Sequence, residues 1–92
     1  AFEWDKGNVA KNKKHDVSDK ESEEVFFDKD KRTFPDHLHS NQEERYRIIG
    51  KTKLGRLLFV VFTIRKNKIR IISARDINKK EVKLYEEKTS LT

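Results

Sequence analysis

Three kinds of side chain in this sequence have the chemistry to cut or hold a phosphodiester. His15 titrates near neutrality and follows Lys11 and Lys14, so it suits proton transfer beside an anion. Glu44 is a carboxylate that could pair with it as the second acid–base group. Arg65 and Arg75 supply planar guanidinium forks, which grip phosphate in a bidentate way. Each has a plainer reading. His15 could be a surface residue in a loop. Glu44 could pair with an arginine on a neighbouring strand, and Glu43 competes for its role. Arg75 could form an ion pair with Glu81 or Glu44, and Arg65 could be only a turn charge. Tyr85 either packs the last helix or stacks on a base. His37 and His39, spaced i and i+2 with Asp36, could suggest a metal, but two histidines in a loop are weak evidence, and no metal site or cofactor is expected.

These groups need a scaffold, and its centre is the apolar stretch 57–75. Leu57 to Thr63 is apolar or β-branched throughout, which suits a strand covered on both faces. The short polar segment 65–68 contains Asn67 and reads as a hairpin connection. The second run, rich in isoleucine, ends at Arg75. Two straight strands would leave Arg65 at the turn and Arg75 about two dozen ångströms away. That is too far for one phosphate: either sheet twist and a bulge shorten the distance or only one arginine belongs to the site, and Arg75 is kept ahead of Arg65.

The remaining elements are shorter. Phe2 and Trp4 alternate as in a short strand with one buried face. A polar, basic helix is expected over residues 8–14. Ser18 and Glu21 form a capping box for a second helix over 19–27, with Val25 and Phe26 toward the sheet and Val17 only a weak staple. Thr33 and Phe34 suit an edge strand that Pro35 ends. Residues 43–49 alternate with Tyr46 and Ile48 inward, which places Glu44 on the same, partly buried face. Asn78 and Glu81 box the start of a last helix. The fold class is α+β: one domain over 1–92, a small twisted antiparallel β-sheet with two N-terminal helices and one C-terminal helix, the helices mainly on one face.

Composition limits the partners. Only 34% of the 92 residues are hydrophobic and 41% are charged, so the core is small. No apolar run approaches the ~18–20 residues that span a bilayer, so no membrane partner is expected. The absence of cysteine excludes disulfides and fits a cytoplasmic protein. A net charge of +6 favours a polyanion or an acidic protein.

The sequence also resembles the BrnT family of toxins from type II toxin–antitoxin systems. The N-terminal correspondence is Phe2-Glu3-Trp4-Asp5, Gly7-Asn8, Lys11, Lys14-His15, Val17-Ser18, Glu21 and Val25-Phe26. The middle blocks are His39-Ser40, Glu43-Glu44-Arg45, Ile49-Gly50 and Gly55-Arg56. Leu58 through Thr63, Arg65, Arg70 through Arg75, Glu81 and Tyr85-Glu86 complete it. The resemblance implies a RelE-like fold and a ribonuclease that arrests translation. It implies a BrnA-like ribbon-helix-helix antitoxin, in a hetero-oligomer such as 2:2, with operator DNA touched only through that partner. In that setting His15, Glu44, Arg75 and Arg65 become catalytic candidates, and Lys11, Lys14 and Tyr85 candidates for holding RNA. A non-catalytic basic scaffold is the alternative. Asp16 departs from the family, whose members usually have glycine there; aspartate tolerates a positive φ if the site requires one.

Overall fold

A computed structural model describes residues 2–3, 16–36 and 44–90. The central hairpin is present as expected: β4 spans Leu57–Arg65 and β5 spans Lys68–Asp76. Lys66 and Asn67 link them with φ of 51° and 64°. Two consecutive positive φ values define the turn whose twist matches paired strands. On the far side of β4 lies β3 (Arg45–Lys51), and β2 (Arg32–Pro35) forms one edge. A two-residue β1 (Phe2–Glu3) pairs with β5 in parallel at the other edge, so the sheet is antiparallel except there.

A bulge in β5 decides which way its side chains point. Val61 pairs with Ser73, yet Phe62 pairs with Ile71, leaving Ile72 as the extra residue. Ile71 and Ala74 therefore both reach the core although they are three apart. Ser73, Arg75 and, beyond the bulge, Arg70 face the opposite way, each across from Val61, Phe59 and Thr63 respectively. The run is not a uniformly alternating strand, and its sequence carries no sign of the slip.

α1 (Asp19–Glu24) begins with the expected capping box: Ser18 Oγ accepts from Glu21 N at 3.1 Å, and Glu21 Oε1 accepts from Ser18 N at 3.0 Å. The helix expected over 19–27 tightens into a 3-10 turn at Val25–Phe27. Val25 is the cause. It presses on Gly50, where an added Cβ would sit 2.6 Å from Val25 Cγ1 and 2.8 Å from its carbonyl oxygen. Val17 is more than a weak staple, because it is buried in the same core as Ile48, Leu58, Val60 and Ile71. Phe2, Phe26, Phe62 and Tyr46 extend this core as a chain of aromatic contacts, with ring centroids 4.9–5.5 Å apart at each step.

The helices do not share one face. α2 (Lys79–Ser90) packs on the side opposite α1. Val25 meets Gly50, on the Ile48 face, whereas Tyr85 lies beside Lys51, on the Ile49 face. Ile49 and Tyr85 are both buried but lie outside the main core cluster. The two-faced burial of Ile48 and Ile49 breaks the simple alternation expected over 43–49. The expected helix over 8–14 lies outside the described residues.

Candidate functional site

The expected site residues fall into two groups at opposite ends of the hairpin. Glu44 precedes β3, whose first residue, Arg45, pairs with Thr63. This places Glu44 at the turn end, near Arg65, which pairs with Lys68 beside the turn. Arg75 pairs with Phe59, six positions along β4 from Arg65. At strand spacing that is ~20 Å. The structure brings Glu44 and Arg65 to one end and sets Arg75, the arginine preferred on sequence grounds, apart from them. His15, Lys11, Lys14, His37 and His39 lie outside the described residues. His15 nonetheless adjoins Asp16, whose φ of 55° is the positive value that the departure from glycine raised.

Glu44 is exposed, not partly buried as expected. Its side chain leaves the sheet one residue before β3 starts, so the alternation that would turn it inward does not reach it. Glu44 Oε2 accepts from the Tyr46 hydroxyl at 2.7 Å, and this bond, with the negative charge, raises the tyrosine pKa. The Glu44 carbonyl accepts from Thr63 Oγ1 at 2.6 Å, which fixes its backbone to β4. Tyr46 stacks on Phe62, so the carboxylate is held through the aromatic core. A carboxylate pinned at its backbone and bonded to one hydroxyl, yet open to water, retains lone pairs for a substrate.

At the other end Arg75 and Arg56 are each held by carboxylates. Arg75 donates to both oxygens of Glu81 at 2.9 and 2.7 Å and lies 4.3 Å over the Phe59 ring. The Glu81 bond holds its guanidinium above its ordinary pKa, against the effect of burial. Burial pushes Glu81 up, but the bonds from Arg75 and from Asn78 N outweigh it, and the carboxyl ends below its ordinary value. Glu81 also accepts from Asn78 N at 2.9 Å, completing the box expected at the start of α2. Arg56 binds Asp76 through two bonds of 2.7 and 3.0 Å, reaches Glu21 at 3.2 Å, and donates to the Asp16 carbonyl at 2.8 Å. These contacts tie the start of α1 to the end of β5.

Tyr85 is buried in the interface between α2 and the sheet. Its hydroxyl donates to Asp28 Oδ2 at 2.7 Å, and burial raises its pKa further than that bond does. Asp28 also accepts from Lys51 N and Asp30 N. Burial opposes the Asp28 charge, but these bonds leave the carboxyl below its ordinary value. Of the two readings of Tyr85, packing is the one its surroundings match.

Sequence reading passed over Arg45, Arg47 and Arg70. Alternation from Tyr46 was enough to put Arg45 and Arg47 on one face. Nothing in the sequence put Arg70 with them, because the bulge does so. A small α+β domain carrying +6 with arginines across one sheet face has the electrostatic footprint that polyanion-binding proteins share. Residues 4–81 match the family model described as the ribonuclease toxin, BrnT, of type II toxin–antitoxin systems, and the chain belongs to that family. A comparison with curated proteins gives no match. The family implies a protein antitoxin as partner. Among the described residues no helix is long and apolar enough to cross a membrane.

Proposed function

We propose that the chain is a metal-independent endoribonuclease that arrests translation, and that a BrnA-like ribbon-helix-helix antitoxin neutralises it. Membership of the BrnT family over residues 4–81 carries this reading. The chemistry needs a base for the 2′-hydroxyl, an acid for the departing 5′-oxygen, and cations for charge building on phosphate. His15 and Glu44 supply the proton-transfer pair. The 2′-oxygen attacks phosphorus, its proton passes to the base, and the 5′-oxygen leaves with a proton from the acid. A 2′,3′-cyclic phosphate remains. Arg65, at the same end as Glu44, neutralises the phosphate, and Lys11 and Lys14 hold neighbouring backbone. Arg75 acts from its ion pair with Glu81, stiffening the end that α2 covers. The antitoxin complex, of 2:2 or similar stoichiometry, carries the only contact with operator DNA.

The test is cleavage of a mixed single-stranded RNA by purified protein in EDTA. Wild type is expected to cut, while Glu44→Gln, Arg65→Ala and His15→Ala each lose most activity. Activity that disappears in EDTA would assign the step to a metal. An inert wild type that still binds the antitoxin would favour the non-catalytic scaffold instead.

A further inference from the structure

Two rows of side chains cross the sheet on the face that α2 covers at one end. In the first, Phe34 of β2 pairs with Arg47 of β3, Arg47 with Val61, and Val61 with Ser73. In the second, Arg45 pairs with Thr63 and Thr63 with Arg70. Directly paired residues share a face, so short side chains form a floor between arginines on β3 and an arginine on β5. Phe34, Arg47, Val61 and Ser73 are each partly exposed.

Arg47 is the least satisfied polar group in this row. Its Nε is buried with no hydrogen-bond partner. Its bond from Nη2 to the Pro35 carbonyl is long at 3.4 Å. Its guanidinium lies 5.0 Å over the Phe34 ring, which supports the plane from behind. Glu81 feels its charge, but both carboxylate oxygens of Glu81 are bonded to Arg75. A buried donor without an acceptor is costly, and because Nε is enclosed an anion would meet Arg47 through its Nη end, which the Pro35 carbonyl holds by a single long bond.

We propose that Arg47, backed by Phe34, grips an RNA phosphate on this face, forming a backbone-binding row apart from the Glu44–Arg65 end. The identity of the polyanion rests on the ribonuclease reading above. Val61 and Arg65 are four positions apart on β4, so the row lies ~13 Å from the turn-end cation. A single strand lying along β4 would meet Arg65, then the Arg45–Arg70 row, then Arg47. Charge favours RNA over an apolar partner here, and the Phe34 ring adds a surface on which an unpaired base can stack.

The experiment uses the full chain and a single-stranded oligoribonucleotide methylated at every 2′-oxygen, which 2′-hydroxyl chemistry cannot cut. Its affinity is measured over a salt series, and the melting temperature of each variant is measured alongside. Arg47→Gln is expected to weaken binding roughly tenfold and to make the salt slope shallower by about 0.7, the value for one phosphate contact on a single strand. Arg47→Lys should keep the slope and recover only part of the affinity, because an ammonium lacks the fork. The melting temperature of Arg47→Gln should stay level or rise, since the orphaned donor is gone. Lys29→Gln, an exposed cation outside the row, should bind like wild type. Wild-type affinity and slope in Arg47→Gln would overturn the proposal, as would a binding loss that tracks a fall in melting temperature. An effect confined to antitoxin binding would overturn it too. If Arg47→Gln does not fold, Arg47→Lys and Phe34→Leu decide, both expected to weaken binding. A wild type that binds the methylated strand but cuts no RNA would sink the catalytic reading and leave the row intact. Cleavage with unchanged Arg47→Gln binding would sink the row alone.

Discussion

The two ends of the central hairpin use arginine in different ways. At the end far from the turn, Arg56 and Arg75 are held by Asp76, Glu21 and Glu81, each through bonds of 3.2 Å or less. Those guanidinium groups join elements together: α1 to β5 through Arg56, and β5 to α2 through Arg75. At the turn end the carboxylate, Glu44, is bonded to a tyrosine instead of a cation. Arginine is thus a structural tie at the far end, and the turn end differs in that its carboxylate is held by a hydroxyl. Gly50 and Val25 add to the contrast, since their close approach also lies away from the turn.

This contrast predicts that lesions at the turn end reduce cleavage and spare stability, and that lesions at the far end do the reverse. Glu44→Gln should show the largest effect, a loss of about 10²–10³ in cleavage rate, as expected for an acid–base group. Its melting temperature should match wild type; a fall of several degrees would make Glu44 structural. Gly50→Ala should come next, destabilising by about 1–3 kcal/mol in urea unfolding, because the new Cβ meets the Val25 backbone, which cannot rotate away. Arg56→Ala should cost about 1–2 kcal/mol, reduced from a buried pair because Asp76 is well exposed. Retention of full stability in that variant would break the distinction between the two ends.

The far end should also carry the acid sensitivity. Glu21, Glu81 and Asp76 all have folded-state pKa values below their ordinary 4.5, 4.5 and 3.8. A carboxyl depressed in the folded state contributes stability that is present above its unfolded pKa. That stability is lost as pH falls through the folded value. Unfolding free energy should therefore be flat above about pH 5 from these groups and should decline below it. Glu81→Gln should flatten part of that decline. An unchanged pH profile in this variant would remove Arg75–Glu81 from the account. The smallest effect concerns Asp16: replacement by glycine should stabilise the chain by about 0.5 kcal/mol, because φ of 55° costs glycine little.

Much of this architecture could be read from the chain. The capping boxes at Ser18 and Asn78 were legible because a cap is a local bond between residues three apart. The hairpin at 65–68 was legible because an unbroken apolar run needs a polar reversal. Glu44 was misplaced for a local reason, since strand alternation was extended one residue past where pairing begins. The helices were assigned mainly to one face because alternation over 43–49 gives a single inward set. Ile49, buried against the Tyr85 side, shows that the sheet has two covered faces.

The sequence by itself determined the elements, the basic charge and the family, since these depend on residue type and short spacing. Tertiary structure decided which arginines share a face. The separation of Arg65 from Arg75 along the hairpin follows from strand length alone, and the pairing agrees with it. The extra residue Ile72 turns Arg70 toward the face of Arg45 and Arg47. Strand pairing and a one-residue slip are relations between distant segments, set by how the strands dock and how the core fills. Local spacing contains neither.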